Sequence, residues 1–376
     1  MRRAGQSGHH GGLKTAGHQP ENLPALTGLR GLAALWVVSL HFQKEFNQLW
    51  PATESLNWFT GAGAQAVPVF FVLSGFILLH TYRDRFQIFH WRTYVGFLGL
   101  RLARIYPGYL AALLIMVGLV AASALAGVTY NAAAYPLGWL LPETLMLHAW
   151  VRLPPGFFGW NFPDWSVSAE WFAYLFAFPV ALGLLRLLAA TPRWLPLVLA
   201  LALCWGEAAV RTEWKLPMVS LLFLAGACLW EWRRRELAAG GGLPRHLDLA
   251  GFLLLPAVLV VADPGPIFTN AGVLLAIALI IPGLSRADGW GTRLLATRGF
   301  IFLGEISYAV YLVHGIVQRL VKIALPVARY EHAAFVVRLA LIMGEVAAVM
   351  VAATLLYRWV ELPARRWLRQ RFGESV

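Results

Sequence analysis

The chain has little charge and almost no cysteine. Charged side chains make up 13% of its 376 residues, while 59% are hydrophobic. A soluble domain carries about 25% charged residues, so a soluble globular fold is excluded. The mean hydropathy of +0.62 is that of a polytopic membrane protein. The two cysteines, Cys204 and Cys228, sit in apolar runs with no His or Cys at ligand spacing. Neither a disulfide framework nor a metal site is expected. Residues 1–22 lack an apolar core, which rules out a signal peptide. They read as a disordered cytoplasmic tail in which His9, His10 and His18 are solvated. There is no Gly-x-Ser-x-Gly elbow and no internal repeat. The Gly240–Gly242 run precedes no strand, so a phosphate loop is not expected.

Acidic residues are also scarce, leaving a net charge of +12. The basic residues fall in short clusters between apolar runs, as in cytoplasmic loops facing an anionic membrane surface. The partner implied is the lipid bilayer, not nucleic acid.

A membrane span needs about 20 mostly apolar residues. Candidates lie at 25–43, 64–81, 105–126, 166–188, 194–210, 216–232, 248–262, 268–284, 300–318 and 335–356. The expected fold is therefore an all-α polytopic membrane protein, a bundle of about ten transmembrane helices. Placing the N-terminus inside puts most of the 31 Lys and Arg residues on the cytoplasmic side. An even count then makes both termini cytoplasmic, in a multi-pass plasma-membrane protein (the inner membrane in a bacterium). The expected division is a tail at 1–22, a membrane domain at 23–362 and a basic cytoplasmic tail at 363–376. The apolar, aromatic loop 127–164 is expected to pack back on the bundle as a lid or interfacial helix. Asp248 and Asp263 read as interfacial charges at the ends of one span. Ser74 and Gly75 read as a close helix-packing pair.

The first span contains Arg30 and His41. Eleven residues of helix advance roughly 16 Å and return to within about 20° of the starting face. The two side chains thus share one stripe, the Arg near the inner surface and the His deeper. An arginine snorkelling to a headgroup and a satisfied core histidine would give the same pattern. Glu170 in the fourth span and His314 in the ninth are expected at a depth similar to His41. Ser307, Tyr311 and His314 share one helix face. Three ionisable groups at one level suggest a polar cavity, and such groups are functional candidates by default. Arg101 and Arg104 lie one turn apart beside Arg83, Arg85 and Arg92. Guanidinium groups bind phosphates bidentately, although the same arginines could serve only to set topology.

An inner phosphate anchor with a deeper histidine suits a long thioester donor such as acyl-CoA. His41 would remove the proton of an acceptor hydroxyl, and Glu170 would orient the imidazole. A transporter or lipid flippase also fits a ten-span bundle with a polar cavity. However, the paired broken helices of transporter halves are not evident.

These motifs resemble acyltransferase family 3, the integral membrane O-acyltransferases. Arg30 and His41 are similar to its Arg-ten residues-His motif, and VPVFFVLSGFIL at 67–78 to its second-span motif. Arg101 and Arg104 resemble its RxxR element. WSVSAEWFAYLF at 165–176, with Trp165, Ser166 and Glu170, resembles its Trp-Ser…Glu segment. SYAVYLVH at 307–314, with Tyr308, Tyr311 and His314, resembles its late motif. The resemblance implies transfer of an acyl group, commonly acetyl, from acetyl-CoA or another acyl-CoA to a hydroxyl of a carbohydrate or other cell-envelope acceptor. It implies His41 as catalytic histidine, Arg30 as its motif partner and Arg101 and Arg104 as donor-binding residues. Some members carry a fused extracytoplasmic hydrolase-like domain. With a short basic tail in its place, this chain is expected to act alone or to pass its acyl group to a separate acceptor protein. No His is followed by Asp with four residues between, which argues against the glycerolipid acyltransferases.

Overall fold

The computed structural model describes residues 21–127, 135–152, 154, 157–210, 214–261 and 270–372. Most of the expected N-terminal tail, including His9, His10 and His18, and also Asp263, lie outside the described residues. So do the last four residues of the expected basic tail. Eleven helices carry the fold: α1 Pro24–Leu49, α2 Ala66–Tyr82, α3 Trp91–Leu125, α4 Phe162–Leu188, α5 Leu195–Val210, α6 Lys215–Ala238, α7 Leu247–Val261, α8 Ala271–Leu284, α9 Arg298–Ala324, α10 Phe335–Leu356 and α11 Leu362–Phe372. Among the described residues, seven helical segments are long and apolar enough to cross a membrane. Three further apolar helices, α5, α7 and α8, are shorter. Each expected span falls on one of these ten segments. This is a multi-pass membrane protein.

The third span differs from expectation at its start. Its helix begins at Trp91 rather than at residue 105. The apolar run begins only after Arg104, but backbone hydrogen bonding continues through the polar turns that carry Arg92, Arg101 and Arg104. Arg101 and Arg104 thus stand on a helix entering the membrane, as expected, and Arg92 stands on the same helix.

Between helices in lipid there is little hydrophobic drive, so packing relies on small residues that let backbones meet. Two pairs show this. A Cβ on Gly304 of α9 would lie 1.9 Å from the Thr27 carbonyl oxygen of α1. A Cβ on Gly226 of α6 would lie 1.9 Å from the Val72 carbonyl oxygen of α2, and one on Gly75 would lie 2.0 Å from that of Phe223. Gly75 is thus a packing residue as expected. Its neighbour Ser74 instead points into a cavity.

Helices α1 and α9 run parallel. Thr27 meets Gly304, His41 meets His314, and Glu45 meets Gln318 and Lys322. An even number of crossings must therefore separate their starts. Helix α4 runs against them: Phe162 packs on His314, and Ser166 on Tyr311.

Two π-turns interrupt the bundle, at Ala173–Ala177 within α4 and at Tyr357–Glu361 between α10 and α11. Such turns are frequent at functional sites. Carbonyls of the first are satisfied by Tyr94 of α3, whose hydroxyl donates to Leu175 O at 2.6 Å and Tyr174 O at 3.2 Å.

The described part of loop 127–164 packs into the bundle. Glu143, His148, Asn161 and Asp164 are each 0% exposed. Tyr109 of α3 donates to Glu143 O at 2.7 Å, and Asn161 Nδ2 donates to Leu312 O of α9 at 2.9 Å. Asp248, in the first turn of α7, is also buried. It is 1% exposed, and its carboxylate accepts from Gly291 N at 2.8 Å at the start of the short helix Trp290–Leu295. Glu21, near the end of the expected tail, is tied to α6 by an ion pair with Arg233 at 2.8 Å.

Candidate active site

A cavity of about 170 Å³ opens between α1, α2, α3, α4 and α9. Seven of the expected site residues line it: Arg30, Arg101, Arg104, Ser166, Glu170, Tyr308 and Tyr311, together with Ser74 and Ser307. One end is cationic. Arg101 donates to Tyr82 Oη at 2.9 Å, and its guanidinium lies over the rings of Tyr82 and Phe97. Arg104 is ion-paired with Glu361 at 2.8 Å and lies over the Tyr308 ring. Tyr308 in turn donates to Ile105 O at 2.6 Å. Among the described residues, Arg30 makes no hydrogen bond or ion pair with a protein group. It lies in the field of Arg104, Glu170, Tyr174 and Arg365. Four guanidinium groups thus gather around two carboxylates, Glu170 and Glu361. The surplus is positive, which suits an anionic ligand.

Glu170 does not reach the depth of His41. Its carboxylate accepts a short hydrogen bond from Tyr174, which also bonds Ser74, and the pair faces Arg30. The reason is register. The α4 segment begins with Phe162, whose ring already touches His41. Eight further residues carry Glu170 about 12 Å along the bundle, to the level of Arg30. Glu170 therefore lies among the arginines, about 12 Å along the bundle from the contact of Phe162 with His41.

The far end of the cavity is closed by Tyr311, whose hydroxyl is 2.8 Å from Ser166 Oγ and whose ring meets Phe70 edge-on. Directly beyond it stand His314 and His41. Their ring centroids are 5.2 Å apart, and that of His314 is 5.8 Å from Tyr311. His314 is fully buried and His41 is part-exposed. His314 Nδ1 lies 3.3 Å from Val310 O. A carbonyl can only accept, so Nδ1 carries the proton there and Nε2 keeps its lone pair. That buried Nε2 has no partner among the described residues. Trp165 stands apart from the cavity, with the Lys215 ammonium 5.4 Å from its ring centroid.

In loop 127–164, burial pushes the Glu143 carboxyl up to about 7, opposed by the Trp160 N–H that it accepts at 2.7 Å. Burial also pushes the His148 imidazole down to about 4, opposed by the backbone at Asp164.

The acyltransferase domain family (Acyl_transf_3) matches residues 23–358, the whole of the region that builds this cavity and the histidine pair. The chain belongs to this acyltransferase family. It is 33% identical over 384 residues to "Acyltransferase MdmB" of Streptomyces mycarofaciens, covering 93% of each chain. It is 31% identical over 281 residues to "Exopolysaccharide production protein ExoZ" of Rhizobium meliloti, covering 71% of this chain and 80% of that one. A shorter match, 39% over 98 residues, links it to "Protein 2 in picA locus" of Rhizobium radiobacter, covering 26% of this chain and 45% of that one. No solved structure shows a significant match.

Several participants were missed in the sequence. Glu361 is the one carboxylate in the ELPARR run, and Arg365 follows it by one turn. Glu45 stands one turn beyond His41. The i, i+4 spacing from an identified residue was a usable signal for Glu45, after His41, and for Tyr174, after Glu170. Nothing local in the sequence marks Phe162, whose place against the histidines depends on how the preceding loop folds.

Proposed function

We propose that this membrane acyltransferase moves an acyl group, acetyl being the simplest, from acyl-CoA to a hydroxyl of a carbohydrate or other cell-envelope acceptor. The observation that carries the reading is the order of groups along α1. A cationic cavity around Arg30, Arg101 and Arg104 ends at Tyr311, and the His41–His314 pair stands directly beyond that residue. The donor's phosphates would meet the guanidiniums, of which Arg30 has no competing protein partner. The pantetheine arm would lie along the cavity, with the thioester beside the histidines.

In the reaction, His41 takes the proton as the acceptor oxygen attacks the thioester carbonyl. The C–S bond then breaks, and the proton passes from His41 to the leaving thiolate. Acceptor ester and free thiol are the products, with no net proton released. General-base help of this kind typically contributes about 10²–10⁴ in rate. The part-exposed position of His41 gives an acceptor access that the buried His314 lacks. The name of ExoZ supports an exopolysaccharide-type acceptor.

In the same reading the ten apolar helical segments all cross the plasma membrane and both termini face the cytoplasm. The parallel run of α1 and α9 supports that parity, and the arginine clusters support that orientation. The test is to compare the ester-linked acyl groups of cell-envelope glycans by mass spectrometry with and without the protein. Loss of an acyl increment supports the reading. An unchanged glycan profile, together with no acyl-CoA turnover by the purified protein, would overturn it.

A further inference from the structure

With Glu170 at the arginine end, His41 needs another group to hold its ring and meet its charge. One turn beyond His41 on α1 is Glu45, and one turn beyond His314 on α9 is Gln318. Gln318 Nε2 donates both to the backbone oxygen of His41 and to Glu45 Oε1, the latter at 3.1 Å. Lys322, one turn further along α9, places its ammonium 2.7 Å from the same carboxylate oxygen. Glu45 is only 5% exposed, and its second oxygen is buried without a partner among the described residues. Glu345 of α10 is 4% exposed and lies in the field of Glu45 and Lys322.

A buried carboxylate in a membrane helix is costly and is usually held for a purpose. Here one oxygen is fully engaged by Lys322 and Gln318, and the other is free. Residues four apart on a helix are neighbours, so Glu45 stands one turn from His41, and the imidazole lies in the opposing fields of Glu45 and Lys322. The amide of Gln318 fixes the backbone that carries both groups.

We propose that Glu45 is the positioning residue for His41, fixed by Gln318 and Lys322 so that its free carboxylate oxygen steadies the imidazolium formed when the acceptor is deprotonated. The inference rests on His41 acting as the base. Glu45 itself exchanges no proton. The acceptor O–H bond breaks as the N–H bond on His41 forms, and that proton later leaves with the thiol.

The experiment is steady-state acyl transfer by the purified full chain with acetyl-CoA, comparing Glu45→Gln, Glu45→Asp and Gln318→Met with wild type and with His41→Ala. Glu45→Gln is expected to lower kcat on the order of ten- to a hundredfold, part of the 10²–10⁴ a general base supplies. The KM for acetyl-CoA should stay within about twofold, because donor binding lies at the other end of the cavity. Glu45→Asp, which keeps the charge, is expected to recover part of the loss. Should Glu45→Gln fail to fold, Gln318→Met carries the test and is expected to lower kcat in the same way. Wild-type kcat in the folded variant, or a raised KM at unchanged kcat, would overturn the role of Glu45. Full activity in His41→Ala would instead overturn the reading of His41 on which it stands.

Discussion

The imidazole rings of His41 and His314 face each other at 5.2 Å with an interplanar angle of 30°, although they come from helices 273 residues apart in sequence. Phe162 lies against both, its ring centroid 4.4 Å from His41 and 5.3 Å from His314. This pairing depends on the close approach of α1 and α9 at Gly304, because a wider helix separation would part the rings. The two are not equivalent. His314 is buried with one nitrogen directed at a carbonyl, and His41 is part-exposed.

The buried member should assist the open one. His314→Gln is expected to lower kcat by about tenfold or more, while His41→Ala loses most of the 10²–10⁴ contributed by the base. Donor KM should be little changed in His314→Gln. Steady-state kinetics check this, and a wild-type kcat in His314→Gln would contradict it.

Arg30 and Arg104 should differ in kind. Arg104 is paired with Glu361, which is 1% exposed, so Arg104→Ala strands a buried carboxylate and is expected to destabilise the protein by about 3–5 kcal/mol. Adding Glu361→Ala should recover much of that loss. Arg30 has no such partner, so Arg30→Gln should leave the unfolding temperature nearly unchanged. It should weaken CoA binding about tenfold, as expected for one charge-assisted hydrogen bond of about 1.5 kcal/mol. Thermal unfolding in detergent and CoA titration separate the two effects.

The contact of α2 with α6 should tolerate no added atom. Gly226→Ala puts a methyl 1.9 Å from a backbone oxygen that cannot rotate away. The expected loss is about 3 kcal/mol, the upper end of ordinary overpacking costs. The yield of monodisperse protein after detergent extraction reads this out.

Stability should depend on pH through the packed loop. Glu143 is raised from 4.5 to about 7 in the fold. Its contribution is therefore fully present below pH 4.5 and lost as pH rises to about 7. His148 is lowered from 6.5 to about 4, so its contribution is present above pH 6.5 and lost as pH falls towards 4. Between pH 4.5 and 6.5 the two slopes oppose each other. Glu143→Gln should leave the His148 slope, with stability rising from pH 4 to 6.5. His148→Gln should leave the Glu143 slope, with stability falling from pH 4.5 to 7. Unfolding temperatures across this range check the opposite signs.

Much of the bundle was legible because apolar runs of span length have few other uses. The arginines of α3 and the late SYAVYLVH motif were legible for a related reason: polar groups in apolar helices need a partner or a purpose. The depth of Glu170 was not legible. It depends on where α4 begins, and that is set by Asn161 and Asp164 folding into the bundle rather than by any local pattern. The ion pair of Arg104 with Glu361 was equally hidden, because the two lie on helices far apart in sequence. The partner of Asp248 was hidden too, because the Gly291 N–H belongs to a helix too short to be noticed. In each case the residue type was evident and its partner was tertiary.

The most direct measurement is transfer of radiolabelled acetyl from acetyl-CoA to the envelope fraction by membranes containing wild type or His41→Ala at equal, folded amounts. The account predicts that His41→Ala abolishes measurable transfer while still binding CoA with wild-type affinity through the arginine end of the cavity. Full transfer by His41→Ala would contradict it.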